Sequence, residues 1–301
     1  MDYKKIFKTR QSRAAILRKL TFIPDSLMIR LQYRIKLNRT LNLGNPVRFT
    51  EKLQWYKLHY RNPVMHQCVD KYEVREYVES KGLGDTLVKL YGCYDSIDEI
   101  DWSSLPDRFV VKKTYGGGGL GVVLCNKKTQ EEIDRIRSTI VVQPGHLGQH
   151  GGGREWAYYG LRRRVVIEEL LVNEERPEAG INDYKIFCYS GRPKFIIVDI
   201  DRYTGHKRNF YDTEWNNLHI ESDCEKCDRE IPKPENMDGM LKIASKLSED
   251  FPYVRVDLYN LNGKIYFGEL TFYPWSGYVQ YSPDSADYLF GEDFELVEYK
   301  E

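Results

Sequence analysis

Phe109-Val-Val-Lys112-Lys-Thr-Tyr-Gly116-Gly117-Gly118-Gly119-Leu-Gly121-Val-Val-Leu124 carries more chemistry per residue than any other stretch of this 301-residue chain. Two apolar runs flank the glycines, so the segment reads as a pair of short strands joined by a glycine-rich connection. A lysine is a poor core residue on a strand. Aimed into a cleft, it offers a compact cation to phosphate oxygens, in charge-assisted bonds that contribute about 1.5–3 kcal/mol each. Glycines let backbone N–H groups approach an anion closely and adopt positive φ. The spacing Gly116-x-Gly118-x-x-Gly121 matches a dinucleotide fingerprint, but that motif requires a helix where Val122-Val-Leu-Cys125 continues as a strand. A Walker loop would end in Gly-Lys-Ser/Thr, which is missing. Taken alone, the stretch suits a phosphate-holding loop and a ligand-free hairpin equally well.

Outward from this loop the pattern is α+β. Short strands are predicted at 87–91, 109–114, 121–126 and 165–171, with a charged helix over 130–141 and a glycine- and histidine-rich loop over 145–154. A hairpin over 184–202 turns at Ser190-Gly191, and a helix over 235–248 precedes a last hairpin over 253–272. Before residue 86 the reading is helical: one helix from about Thr50, with Thr50 as its cap, and another over 71–80 that ends at Gly82. Residues 1–65 are read as a basic helical segment and 66–301 as the catalytic region. Within it, 86–165 form a glycine-loop subdomain and 166–301 a hinge and metal-binding subdomain.

The last hairpin runs Arg255-Val-Asp257-Leu-Tyr-Asn-Leu-Asn-Gly263-Lys-Ile-Tyr-Phe-Gly268-Glu269-Leu-Thr271. A three-residue loop Leu261-Asn262-Gly263 sets Arg255 opposite Glu269 and Asp257 opposite Phe267, with Arg255, Asp257, Glu269 and Thr271 on one face. Asp257 and Glu269 are then diagonal neighbours, about 7–8 Å apart at Cα, with room for a magnesium ion between them. A two-residue Asn262-Gly263 turn would put the two acids on opposite faces, since a one-residue slip inverts every side chain. Without a ligand, the same residues make a surface hairpin with an Arg255–Glu269 ion pair.

With 41% hydrophobic residues, the chain is long enough to bury a sizeable core. Forty-five basic and forty-five acidic residues cancel. Residues 1–40, however, hold eleven Lys or Arg against Asp2 and Asp25, a net +9. Leu27, Leu31 and Ile35 recur there at helical spacing, so this segment either packs as a solvated helix pair or makes peripheral contact with an anionic membrane face. No nucleic-acid motif follows the basic patch, and nucleic acid is not expected as a partner. The expected location is the cytoplasm, with the inner membrane face as an alternative. Cys224-Glu-Lys-Cys227 has no second ligand pair and reads as a loop.

The order of these elements resembles the ATP-grasp superfamily, and within it the TupA-like branch associated with surface-polysaccharide and teichuronopeptide biosynthesis. The resemblance covers roughly residues 45–290 and rests on several pieces. They are Phe49-Thr-Glu-Lys-Leu-Gln-Trp55, Asp70-Lys71, Val110-Val-Lys112 with the glycine loop, Ile167-Glu-Glu-Leu-Leu171, Asp183-Tyr-Lys185, Asp201-Arg202, Phe210 to Trp215, Arg255-Val-Asp257 and Gly268-Glu269-Leu-Thr271. It implies an ATP-grasp fold, with two α+β subdomains clasping ATP behind an N-terminal helical segment. Lys71 and Lys112 resemble the phosphate-side lysines, and Gly116, Gly117, Gly118 and Gly119 the flap over the triphosphate. Glu168, Glu169 and Leu171 resemble the adenine hinge. Lys185 and Arg202 resemble basic positions near the γ-phosphate and are taken with Arg255 as catalytic candidates, and Asp257, Glu269 and Thr271 resemble the Mg2+ ligands. Many members carry Asn where this chain has Thr271.

The resemblance implies ATP and Mg2+ as cofactors and a ligase reaction through an acylphosphate. A carboxylate or glycan precursor and a small-molecule amine are its expected substrates, with a uronic acid and an amino acid as the pair suited to this branch. A small-molecule or sugar kinase, or a glycosyltransferase or accessory protein of polysaccharide assembly, are the alternatives. Trp156, Tyr158, Tyr159 and Arg162 to Arg164, or Tyr211 with Trp215, are weighed as a glycan platform and as packing residues; Tyr273 to Gly277 lie next to the metal strand.

Overall fold

A computed structural model describes residues 17, 20–117, 119 and 121–299. It has two antiparallel sheets flanked by helices. The four-stranded sheet has the order β1-β4-β2-β3, with β1 Leu90–Tyr94, β2 Phe109–Lys113, β3 Val122–Cys125 and β4 Val165–Glu169. Its small core gathers Phe109, Val111, Val123, Val165 and Ile167 against Ile136 and Ile140. The five-stranded sheet has the order β7-β6-β5-β8-β9. Its strands are β5 Asp183–Tyr189, β6 Arg192–Ile200, β7 Lys207–Asp212, β8 Val254–Leu261 and β9 Lys264–Thr271. The α+β expectation holds.

Helices α1 Asp25–Leu37 and α2 Phe49–His59 precede α3 Val64–Val69 and α4 Val74–Ser80. The later helices are α5 Gln130–Thr139, α6 Met237–Ser248 and α7 Ser285–Glu292. Thr50 is not a cap. It lies inside α2, where its N–H and hydroxyl donate to the buried Asp287 of α7 at 2.9 and 2.8 Å. The start of α2 is held instead by Glu51, whose carboxylate accepts from the N–H groups of Val47 and Arg48 at 3.1 and 3.2 Å. At α5, Thr129 does cap, accepting from the Glu132 N–H at 3.2 Å. The helix expected over 71–80 shortens to 74–80 because Asp70 turns the chain, accepting from the N–H groups of Tyr72 and Glu73.

Phe49, Leu53 and Tyr56 of α2 lie in the same core as the five-stranded sheet, so a division at residue 65 does not follow the packing. Strand β4 likewise belongs with β1, β2 and β3, and the expected boundary between 165 and 166 runs through it.

Candidate active site

The β8–β9 hairpin closes at Leu261↔Lys264 through a two-residue turn, Asn262-Gly263, with φ of 51° and 80°. This is the left-handed pair favoured by hairpin turns, and it corrects the expected three-residue loop. The turn alone would drive Asp257 and Glu269 to opposite faces. A β-bulge reverses that outcome: Leu258 pairs with Phe267, but Asp257 pairs with Glu269 and Arg255 with Thr271, leaving Gly268 as the extra residue. A Cβ at Gly268 would lie 2.9 Å from the Asp257 carbonyl oxygen, so the bulge needs glycine there. The two acids are direct cross-strand partners rather than diagonal ones.

Register continues this face across the sheet. Lys185 pairs with Asp257, Asp183 with Asp199 and Asp199 with Arg208. Arg255 donates from Nε and Nη2 to the two Asp257 oxygens at 2.6 Å each. Its Nη2 also lies 3.4 Å from Glu269 Oε1 and 3.1 Å from Thr271 Oγ1, and Thr271 in turn donates to Glu269 at 3.2 Å. Lys185 Nζ makes a short contact with Asp183 and lies 3.3 Å from Asp199 and 3.7 Å from Asp257. Arg202, beyond β6, reaches Asp183 at 3.2 Å. Arg208 clamps Asp199 from Nε at 2.6 Å and Nη2 at 3.2 Å.

Burial pushes the Asp257 carboxyl up to about 7, against the pull of Arg255 and Lys185. Burial acts the same way on Glu269, but Lys71, Arg255 and Lys185 outweigh it and hold that carboxyl below its ordinary value. At Asp199, burial is overcome by His206, Lys185 and Arg208, leaving the carboxyl far below the carboxylate range. The geometry gives opposed acids whose charges are offset by side chains already in place.

The four-stranded sheet supplies the other half. Lys112 Nζ donates to Glu168 at 2.8 Å, and Arg75 of α4 reaches the other oxygen of that carboxylate at 3.1 Å. Lys71 is anchored by its N–H to the Thr114 carbonyl at 2.8 Å and by Nζ to the Gly116 carbonyl at 2.7 Å. Burial lowers its pKa, while the field of Glu269 opposes that shift. Lys71 is thus held against the glycine loop, within the field of Glu269. Gly116 and Gly119 have φ of 85° and 74°, and among the described residues, chain neighbours aside, no atom lies within 4 Å of a Cβ built at Gly116, Gly117 or Gly119. Gly118 lies outside the described residues.

The Glu168 carboxylate lies against Lys112 and Arg75, and the Glu169 N–H donates to the Lys89 carbonyl at 2.9 Å. Leu171 lies two residues past β4. The aromatic platforms resolve into packing. Tyr211 stacks on Trp215 at 4.4 Å, Trp215 donates to the Ile231 carbonyl, Trp156 packs on His66, and Tyr159 bonds Asp25. The sequence reading missed Asp183, Asp199, Arg208 and Arg75 as partners. The alternation Asp183-x-Lys185 was a signal for the first of these.

For a hard divalent cation, Asp257, Glu269 and Thr271 present oxygen ligands on one face, and Asp183 Oδ1 is buried without a hydrogen-bond partner. This donor set fits Mg2+, which takes one or two carboxylates and completes its shell with phosphate oxygens and water. Among the described residues, no group of three or more His, Cys, Asp or Glu side chains is arranged to hold a metal by itself.

Two antiparallel sheets, one bearing an open glycine loop and lysines and the other a pair of opposed acids, define the ATP-grasp fold. Residues 51–295 match the family model described as TupA-like ATPgrasp, and the chain belongs to that family. Solved structures resemble it at low identity. A D-alanine–D-alanine ligase from Bacillus anthracis shares 18% identity over 68% of this chain and 57% of its own, with a TM-score of 0.39. The N5-carboxyaminoimidazole ribonucleotide synthetase purK, as an ADP complex, shares 15% over 73% and 49%, with a TM-score of 0.43. An L-amino acid ligase from Bacillus licheniformis shares 12% over 90% and 55%, with a TM-score of 0.40. The chain spans about half to three-fifths of the length of these three proteins. No curated protein matches it.

Proposed function

We propose that the chain is an ATP-dependent carboxylate–amine ligase that joins a uronic acid of a surface-polysaccharide precursor to an amino acid. The observation that carries the ATP-dependent part is the pairing of Asp257 with Glu269 beside Arg255 and Lys185, with Lys71 held at the loop after Lys112. Family membership supports the class of chemistry. The glycan substrate rests on the branch's association with polysaccharide biosynthesis.

In this reading Lys71, Lys112 and the N–H groups of the glycine loop hold the phosphates. Asp257 and Glu269, helped by Thr271, would hold Mg2+, and the ion would supply charge to offset that on the transferring phosphoryl group. The substrate carboxylate oxygen bonds to the γ-phosphorus as the β–γ bridging bond breaks and ADP leaves. The amine nitrogen then attacks the acylphosphate carbonyl, phosphate departs and the nitrogen gives up a proton. Arg255 and Lys185 orient the γ-phosphate and stabilise its developing charge.

The test is thermal stabilisation by Mg-ATP, followed by phosphate release across amino acids and uronic-acid donors. Release only when both an amine and a carboxylate are present supports the ligase. A stable phosphorylated product would make the protein a kinase, and no stabilisation by Mg-ATP would remove the nucleotide reading altogether.

A further inference from the structure

Helix α1 is apolar on two faces. Met28, Ile29, Tyr33 and Leu37 are buried, with Ile29, Tyr33 and Leu37 forming a small core with Leu41. On the opposite face Leu27, Leu31 and Ile35 recur every four residues and are 58%, 49% and 46% exposed, while Phe22 just before the helix is 78% exposed. Residues four apart stack on one side of a helix, so the three aliphatic side chains form a continuous outward stripe. Arg30 and Arg34 are exposed beside it at the same spacing.

The helix has a single acid, Asp25, and that acid is turned inward. It accepts from Arg154 at 3.0 Å and Tyr159 at 3.1 Å, and lies 2.9 Å from His150 Nδ1. The outer face therefore carries aliphatic and cationic side chains with no carboxylate among them. In sequence, the 24 residues before the helix hold seven Lys or Arg against Asp2 alone. Among the described residues, no helix is long and apolar enough to cross a membrane, so a lipid contact here would lie in the interface plane.

We propose that the outer face of α1, through Leu27, Leu31 and Ile35 flanked by Arg30 and Arg34, docks on an anionic lipid surface. Aliphatic side chains enter the headgroup boundary, and the arginines meet lipid phosphates. A protein partner or second copy would suit the leucines equally. The exposed Arg30 and Arg34, with no carboxylate of the helix on that face, favour a polyanionic plane. This inference does not depend on the reaction proposed above.

The experiment is co-sedimentation of the full chain with phosphatidylcholine vesicles and with vesicles containing about 30 mol% phosphatidylglycerol. The chain is expected to pellet with the anionic vesicles only, and to be released in about 0.5 M salt, where surface electrostatics are screened. The variant Leu27→Glu/Leu31→Glu/Ile35→Glu should lose about tenfold in partitioning while its melting temperature without vesicles stays that of the parent. Equal binding to neutral vesicles, salt-insensitive binding or no binding overturns the proposal. A concentration-dependent dimer that the same variant dissolves, with no vesicle binding, assigns the face to a second copy. The lipid and salt comparisons use the unaltered chain, so they decide the matter even if the variant fails to fold.

Discussion

In the five-stranded sheet, Asp257 meets Arg255 through two 2.6 Å bonds, and both side chains are buried. In the four-stranded sheet, Lys112 meets Glu168 at 2.8 Å from a side chain that is still 22% exposed, on the strand that leads into Gly116 and Gly117, where among the described residues a Cβ would meet no atom within 4 Å. One region carries its charges in a closed, mutually neutralised lattice. The other leaves a cation at the edge of an open loop. Preorganised charge suits a fixed metal and phosphoryl site, and loosely held charge suits a segment that must admit and release a nucleotide.

The sharpest way to break this contrast is Arg255→Met. It leaves Asp257 buried with Lys185 as its nearest remaining cation, and removing one partner of a buried pair costs about 3–5 kcal/mol. Denaturant unfolding should show a loss of that size, and a loss under about 1 kcal/mol would mean the lattice is not closed. Lys112→Met should behave oppositely. Glu168 keeps Arg75, so the melting temperature should hardly move, while Mg-ATP affinity should fall by about 10- to 100-fold, the worth of one charge-assisted bond. A large stability loss with unchanged affinity would reverse the roles of the two sheets.

Gly268→Val sharpens the comparison more locally. Its side chain would press on the Asp257 carbonyl, and strain of that kind costs about 1–3 kcal/mol. Metal-dependent nucleotide binding should weaken further than the melting temperature alone suggests, because the acids lose their opposition. Equal loss of metal-dependent and metal-independent binding would argue against that.

The smallest expected effect is with pH. Asp257 has its carboxyl raised from 3.8 to about 7 in the folded chain, so its contribution to stability is fully present below about 4 and is lost as pH rises through 7. Glu269 is lowered from 4.5, so its contribution is present above that value and is lost on acidification. Since a ligand carboxylate must be ionised, Mg-dependent affinity should rise by up to about tenfold between pH 6 and 8. A flat profile would show that Arg255 keeps Asp257 ionised throughout.

Most of this was legible in the sequence wherever local chemistry decides the outcome. Glycines marked the loop, Ser190-Gly191 marked the β5–β6 turn at φ of 47° and 79°, and alternation marked the strands. The hairpin register was half legible. Asn262-Gly263 is the expected pair for a tight turn, but the choice of turn and the bulge at Gly268 depend on packing across the sheet. Strand β7 was missed as a strand, and with it the Arg208–Asp199 clamp, because that pairing joins elements whose neighbours are fixed only by topology. The fate of Glu168 was hidden for a similar reason, since Arg75 reaches it from a helix 93 positions away.

The bulge also bears on how related chains should be aligned. The β8–β9 hairpin carries one residue more than its pairing needs, at position 268. A relative lacking that residue would have a regular ladder from the Asn-Gly turn, with the equivalent of Glu269 still facing the equivalent of Asp257. A single gap at this point is therefore a silent change in chain length, whereas side-chain growth at the same point is not.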